Sequence, residues 1–507
     1  MASFSSSLLA VLDGQPSTSV STYRQTILDN ADILDNIWSS YDRVSPKEKI
    51  SAASKTLGIL FQERVVLPEM PSYEQEQQKN WSSTAWLPAA CFVKAQNTQD
   101  VSLTLKVVTI FQVPFAVRSG GHSANPGFGS VDSGILIDLS SLNDIILSPD
   151  HNFVSVGPGV KWDILYEELE KYELTVVGGR AAGVGVGGLI TGGGMSHFSN
   201  FWGLACDQAK EFEVVLADSS VICANKSENP DLFRALKGGG TNFGIVTRFD
   251  LFTQAEYRVW ATLKAYSAAN VVEVMNATIS VQKAIDHNDK IGLFVSVLKD
   301  MFVVGCIYRG WDVPPKTFGA FDNIAEVAIL MPETKGTQQS LARALSITGN
   351  AKRAIGTASV MMDLDLYVEL HEILKNLDAT ALSSVAFTFQ PFDATAARKG
   401  EERGGNSLGI APVSQAWLGI MGEWKDDTND EQAIMQTHQL ISSIEAAARA
   451  RGLLLDFKFM NDASYTQFPF VASALKPLKG ASEKWDPEGV FQRLQNSGFL
   501  ISKIDAS

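Results

Sequence analysis

The residues with the most chemical reach lie in one short stretch, Arg118-Ser119-Gly120-Gly121-His122-Ser123, directly after the apolar run Val113-Pro-Phe-Ala-Val117. A strand that ends in small residues turns several backbone N–H groups towards one point, which suits an anion such as a pyrophosphate. The glycines permit close approach, Arg118 can offset negative charge, and His122 places an imidazole in the middle of the turn. An ordinary turn could carry the same residues, so a second feature has to decide. At residues 178–194, nine of seventeen residues are glycine. No stable helix or strand tolerates that composition. A flexible linker would be rich in serine and polar residues, whereas Val184, Val186, Leu189 and Ile190 are interspersed with the glycines here. The stretch therefore reads as a buried loop whose backbone groups need partners, and a dinucleotide lying against it would supply them. Gly183-x-Gly-x-x-Gly188 fits the nucleotide-binding glycine pattern formally. It does not open a helix after a strand in a βαβ unit, which excludes a Rossmann reading.

The elements that must position these stretches follow from hydrophobic spacing. Through residues 56–253 short apolar strands alternate with helices. The segment 161–172 places Trp162, Leu165, Leu169 and Tyr172 on one helical face. Asn229 as N-cap and Pro230 in the first turn start a helix running to Lys237, which Gly238-Gly-Gly240 stops. A strand over 244–247 follows. Residues 254–452 read as a second unit, with strands over 292–297 and 302–306. A helix near 431–451 carries Ile434, Ile441, Ile444 and Ala448 on one face and ends in Arg449, Arg451 and Gly452. Residues 1–55 have a helical spacing of their own in Leu28, Ile33, Leu34, Ile37 and Trp38, as either a docking element or a cap on the core.

At 507 residues the chain is too long for one core. Apolar residues make up 45% and charged residues 19%, an ordinary globular balance. The net charge of −14 argues against nucleic acid or anionic membranes as partners, and no apolar run is long enough to span a bilayer. The six histidines and four cysteines are scattered without metal-ligand spacing, so no metal is expected. The first residues lack a basic region and meet Asp13 early, so they are expected to be a helix or tail and not a secretion signal.

Seven segments, RSGGHS at 118–123, ILIDLSSLNDI at 135–145, VSVGPGVKWDILYEEL at 154–169, GVGVGGLITGGGMSHFSNFWGLACDQ at 183–208, FEVVLADSSV at 212–221, NPDLFRALKGGGTNFGIVTRFDL at 229–251 and WDPEGVFQ at 485–492, carry a family resemblance. In order and spacing they resemble the FAD-linked oxidoreductases with a vanillyl-alcohol-oxidase, PCMH-type flavin domain, and within them the berberine-bridge-enzyme-like branch in its fungal form. The resemblance implies an α+β fold. A two-lobed FAD-binding domain would span 56–253, and a substrate domain with an antiparallel sheet backed by helices would span 254–452. The chain would return to the first domain over 453–507. It implies FAD bonded from a ring nitrogen of His122 to the 8α-methyl carbon. Some relatives add a second bond through a cysteine. The matching stretch 179–184 has none, so a single attachment is expected, and an oligosaccharide-oxidase reading is weakened. Cofactor contacts are implied for Arg118, Ser119, Gly120, Gly121, Ser123, Gly179, Gly183, Val184, Gly187, Gly188, Gly193, Gly194, Ile245, Val246 and Asn461. Secreted relatives pair a cysteine with the one matching Cys91. The first position reads as Ser54 here, which with the missing leader points to an intracellular protein.

The implied reaction is hydride transfer from a small apolar or aromatic secondary-metabolite-like substrate to flavin N5, with molecular oxygen regenerating the flavin and yielding hydrogen peroxide. The rivals are a dehydrogenase with another acceptor, a flavoprotein guiding oxidative cyclisation, and, most remotely, a binding protein. The Phe294, Phe302, Phe318, Phe321, Phe387, Phe389 and Phe392 set fits an apolar pocket, and core packing equally. Such chemistry calls for a base. The family's Tyr-x-Asn motif reads Phe459-Met-Asn461-Asp462 here, so that phenol is absent. Asp462, Tyr465, Gln390 and Asn406 are the candidates, each with an alternative role as a structural polar group. His197 is a candidate to face the pocket. His371 and His438 sit on helices facing solvent or packing.

Overall fold

A computed structural model describes residues 3–13, 18–39, 45–346 and 349–506. A first sheet contains β1 (Val65–Val66), β2 (Cys91–Lys94), β3 (Phe115–Arg118) and β4 (Ile135–Asp138) in the order β1-β2-β4-β3. β4 runs parallel to both β2 and β3. Parallel strands need a crossover, and between β2 and β3 it is the helix Thr98–Phe111. Asn97 caps this helix by accepting from Asp100 N at 3.0 Å.

That helix is buried on nearly every side, as an element between layers must be. It meets Val93, Phe115 and Ile137 of the first sheet and Val215 and Ile245 of the second. It also meets the N-terminal helices Phe4–Val11, Thr18–Asp29, Ala31–Ser39 and Pro46–Phe61. Phe4 packs edge-on to Phe111 at 5.4 Å, and the Tyr23 hydroxyl and Arg64 both bond the buried Asp100 carboxylate. The described part of residues 1–55 is thus a helical cap on this core, with Leu34 buried and Leu28 and Ile33 facing outward. Ser54 in this cap lies beside the Cys91 thiol, which burial pushes up to about 12. All four cysteines are free.

The second sheet holds β5 (Ile145–Leu147), β6 (Phe153–Val156), β7 (Ala209–Val215), β8 (Val221–Asn225) and β9 (Ile245–Phe252), ordered β5-β6-β9-β7-β8 and antiparallel throughout. Two local expectations fail here. The helix Trp162–Glu170 ends before Tyr172, which is exposed. Asn229 does not cap the helix Pro230–Leu236. Its backbone is left-handed at φ 50°, and its side chain instead donates to Cys223 O at 2.7 Å.

The third sheet is formed by β10 (Arg258–Ser267), β11 (Ile291–Val297), β12 (Met301–Arg309), β13 (Glu326–Thr337), β14 (Lys352–Met361), β15 (Ser384–Phe392), β16 (Gln415–Trp424) and β17 (Leu454–Leu455). Its order is β13-β10-β12-β11-β15-β16-β14-β17, again antiparallel. β17 lies at residues 454–455, so this sheet draws its last strand from the C-terminal segment. Alternation of side chains along each strand divides the sheet's faces. Val295, Val297, Phe387, Phe389, Leu418 and Ile420 join the helices Val271–Ile285, Leu364–Asn376 and Asp430–Ala450 in one core. Phe302 belongs to that core as well, and Phe318 and Phe321 join it while also lining a cavity with Trp260, Tyr266 and Cys306, so much of the aromatic set is core packing. Phe294, Ser296, Thr388 and Gln390 alternate with these residues and point the other way. No helix among the described residues is long and apolar enough to cross a membrane.

Candidate active site

The turn after β3 and the glycine-rich stretch meet backbone to backbone. A Cβ on Gly120 would lie 2.5 Å from Gly185 Cα, and one on Gly187 would lie 2.6 Å from Ser119 Oγ. Lys161 donates to Gly120 O, Ser119 Oγ to Pro158 O, and Trp81 N to Gly121 O at 2.8 Å, so the two glycine carbonyls of the turn are held. Its amides are not. Among the described residues, the N–H groups of Ser119, Gly120, Gly121 and His122 donate to no protein acceptor. A Cβ on Gly183 or Gly188 would meet nothing within 4 Å, so both glycines face open space. A run of unpaired amides in one turn is an anion site waiting for its acceptor.

His122 stacks on Trp81 with ring centres 4.3 Å apart and planes 13° from parallel. The Arg353 guanidinium lies 3.8 Å from the Trp81 ring centre and donates to Trp81 O and Glu423 Oε1, each at 2.6 Å. Burial, then the Lys161 and Arg353 charges, bring the imidazole down to about 4. At neutral pH the ring is therefore uncharged, with a free lone pair on one nitrogen.

Across the glycine stretch a second group of side chains converges. Gln390 Nε2 on β15 donates to Asp462 Oδ2 at 3.1 Å. Gly419 on β16 leaves room for this pair, since a Cβ there would lie 3.0 Å from Asp462 Oδ2 and 3.2 Å from Gln390 Nε2. Arg180, inside the glycine stretch, acts electrostatically on both Asp462 and His197. Burial raises the Asp462 carboxyl and Arg180 opposes the shift, while burial and Arg180 together hold His197 well below its ordinary value. Gln390 Oε1 and His197 Nε2 are buried with no hydrogen-bond partner. Ser296 Oγ and Thr388 Oγ1, 2.9 Å apart, lie on the same sheet face as Gln390.

Of the four base candidates, the fold brings Asp462 and Gln390 together and leaves the other two outside. Tyr465 is 48% exposed and faces His438. Asn406 donates to Asp207 Oδ1 at 2.9 Å, within a separate cluster with Lys237. His438 bonds Ser464 Oγ at 3.1 Å, and His371 is buried against Phe302. Phe459, at the absent phenol's position, stacks on Trp417 in the core.

A family model described as an FAD binding domain matches residues 89–225. An FAD-dependent monooxygenase of Arthrobotrys oligospora is 34% identical over 432 residues, covering 83% of this chain and 84% of its own length. Among solved structures, 6-hydroxy-D-nicotine oxidase from Arthrobacter nicotinovorans superposes with a TM-score of 0.75 at 20% identity, covering 86% of this chain and 98% of that one. Berberine bridge enzyme from Eschscholzia californica does so with a TM-score of 0.71 at 14% identity, over 88% and 98%. The chain belongs to the FAD-linked oxidoreductases with a PCMH-type flavin domain, in the berberine-bridge-enzyme-like branch.

The cradle fits FAD. The amides of residues 119–122 suit its pyrophosphate, and the open space over Gly183 and Gly188 leaves room for it. β9 is free of a strand partner on the β6 side at Ile245 and Val246, because β6 reaches only to Phe249.

Several of the residues expected to touch the cofactor have partners of their own within the protein. Arg118, expected to offset cofactor charge, has an internal counter-charge. Its guanidinium is buried, donating to Asp138 Oδ2 at 2.6 and 3.1 Å and to Glu76 O at 2.8 Å. Gly179 packs on the Trp162 indole and its carbonyl accepts from Tyr166. Gly193 O and Gly194 O accept from Cys206 N and Ala205 N. Asn461 is a clamp on the loop, accepting from Gly194 N and donating to Gly188 O, both at 3.0 Å. Val184 packs against the core, and Ser123 Oγ accepts from Asn125 N.

Arg180, Trp81 and Lys161 escaped the sequence reading. Arg180 had a signal, being the only Asp, Glu, Lys or Arg between Glu173 and Asp207. Trp81 and Lys161 had none, because both reach the site only through tertiary contacts.

Proposed function

We propose that this protein is an FAD-dependent oxidase acting on a small apolar or aromatic, secondary-metabolite-like substrate, with the flavin bonded through His122 and no cysteinyl link. The observation that carries this reading is the pairing of a neutral His122 in the amide-lined turn with the buried Asp462–Gln390 pair across the glycine stretch. When bound, FAD supplies a two-electron hydride acceptor that oxygen can regenerate, releasing hydrogen peroxide. The protein's own part is acid–base work and positioning. Asp462 accepts a proton from the substrate as hydride leaves, and its raised proton affinity suits a base. Gln390 Nε2 fixes the carboxylate, leaving Oε1 for a substrate donor. Trp81 holds the His122 ring plane.

Acid precipitation tests the attachment. Flavin should stay with the wild-type protein and map to the peptide holding His122, while His122→Ala should release it. Acid-stable flavin in that variant rejects the assignment. A second reading rests on the name of the 34% identical relative, a monooxygenase. Turnover under isotopically labelled oxygen separates the two. Label in peroxide and not in product supports the oxidase, and label in product supports oxygen insertion.

A further inference from the structure

The Arg180 side chain is anomalous. It is partly buried between the glycine stretch and the third sheet, yet among the described residues no hydrogen bond or ion pair closes on its guanidinium. The opposite charge that acts on it, Asp462, is hydrogen-bonded instead to Gln390 Nε2. A guanidinium keeps its proton in proteins, so burial cannot neutralise it. A partly buried guanidinium with no hydrogen-bonded partner is available to a ligand, and its five N–H groups in a fixed fork match the two oxygens of a planar oxygen acid. Two side chains near its charge also carry unmatched buried polar atoms, Gln390 Oε1 beside Asp462 and His197 Nε2, and Gln390 is only 2% exposed. The neighbours Phe294, Ser296 and Thr388 are apolar or neutral, so they do not supply the missing charge.

We infer that Arg180 anchors an ionised oxygen group on the substrate, either a carboxylate or the enolate of an acidic 1,3-dicarbonyl, while Gln390 and His197 fix its neutral remainder. The inference rests on the functional reading above and narrows its substrate class. Lys161 and Arg353, the other cations near the site, are already bonded, to Gly120 O and to Glu423 with Trp81 O respectively, which leaves Arg180 as the anchor.

Calorimetric titration of the flavin-loaded protein tests this with two matched pairs of probes. Benzoate is compared with benzamide, and ionised 4-hydroxy-6-methyl-2-pyrone with its 4-O-methyl ether. The anionic member of at least one pair should bind ten-fold or more tightly than its neutral partner, and the pair that shows the difference identifies carboxylate or enolate. Arg180→Gln should collapse that ratio to near one at unchanged thermal midpoint, and Arg180→Lys should restore part of it. Equal binding of anionic and neutral probes by the wild type overturns the inference, as does an unchanged ratio in Arg180→Gln. The wild-type comparison decides even if a variant fails to fold. Protein that never holds flavin would sink the oxidase reading instead, and calorimetry would still report whether the pocket selects anions.

Discussion

Replacing Gly120 with alanine would put a methyl carbon 2.5 Å from Gly185 Cα and 2.6 Å from Gly185 N, where ordinary contact begins at 3.4 Å. The two backbones must separate by roughly 1 Å, since neither partner is a side chain that could swing aside. Conformational strain adds nothing. Gly185 sits at φ −83°, and Gly120 is not among the positive-φ glycines. Overpacking of this kind costs about 1–3 kcal/mol, and contact between two backbones puts it near the upper end. A loss of unfolded-state freedom returns about 0.4–1 kcal/mol, leaving a net destabilisation of about 2 kcal/mol. Gly185→Ala should cost a similar amount for the same reason. In the double variant the second methyl enters a gap the first has opened, so the combined cost should fall short of the sum by about 1–2 kcal/mol. Denaturant unfolding of the four proteins measures the cycle, and the ratio of flavin to protein absorbance reports whether the parted turns still hold FAD. Strictly additive costs, or single variants within about 0.5 kcal/mol of wild type, would refute contact between the two turns.

Arg118→Gln should destabilise the fold by about 3–5 kcal/mol, because it strands a buried carboxylate. Burial works to raise Asp138, and the Arg118 charge and the Ser140 hydrogen bonds overcome it, so the folded-state value is depressed. A depressed carboxylate stabilises above its unfolded value and loses that contribution as pH falls through the folded one. Wild type should therefore lose more stability on acidification than the variant, as thermal midpoints across acid pH will show. If Asp462 is the base, it must be ionised to work, and burial raises its carboxyl against the opposing Arg180 charge. The acid limb of kcat/KM should thus lie above the ordinary carboxylate range, and Asp462→Asn should abolish that limb and slow turnover by about 10²–10⁴-fold. Retention of the limb in the variant excludes Asp462. Ser54→Cys should form a disulfide with Cys91, beside which Ser54 already lies, and raise stability by about 3 kcal/mol. Thiol titration and non-reducing electrophoresis check the bond, and an unreacted pair would show the two side chains are not opposed.

What could be read in advance was whatever depended on local composition. The glycine density at 178–194 marks a stretch that packs backbone against backbone, but the expectation that no helix forms there fails, because Val186–Thr191 makes a short helix whose Gly187 lies against Ser119; the turn at 118–123 was legible as a turn from its small residues alone. Partners distant in sequence were invisible. Arg118 looked like a counter-charge for a cofactor, but parallel pairing of β3 with β4 sets it opposite Asp138, and a direct ion pair decided its use. Tyr465 and Asn406 were equally plausible as polar groups. Only the register of the third sheet and the course of the C-terminal segment show that Gln390 and Asp462 converge while those two do not. Asn229 misled for a related reason. Its side chain had a competing acceptor in Cys223 O, and its left-handed backbone lies outside the extended region a capping residue normally adopts.

The third sheet shows how such a site can diversify without loss of fold. Along β15, Phe387 and Phe389 sink into the helix-backed core, while Thr388 and Gln390, one residue out of phase, point to the opposite face, where they meet Ser296 and Asp462. Strand periodicity therefore separates two tasks on a single segment. On the proposed reading, a change at Thr388 or Gln390 would alter what the site recognises and would remove nothing from the apolar contacts that hold the sheet on its helices. A change at Phe387 or Phe389 does the reverse. This separation gives a physical reason why the architecture is shared with solved flavoenzymes at 14–20% identity. The constraints on the buried face can persist while the facing residues are replaced. Among those facing residues Gln390 meets Asp462 from the C-terminal return, and the Arg180 charge in the glycine stretch acts on that carboxylate, so three separate parts of the chain bear on one group. Specificity can then be retuned from any one of them while the other two stay fixed.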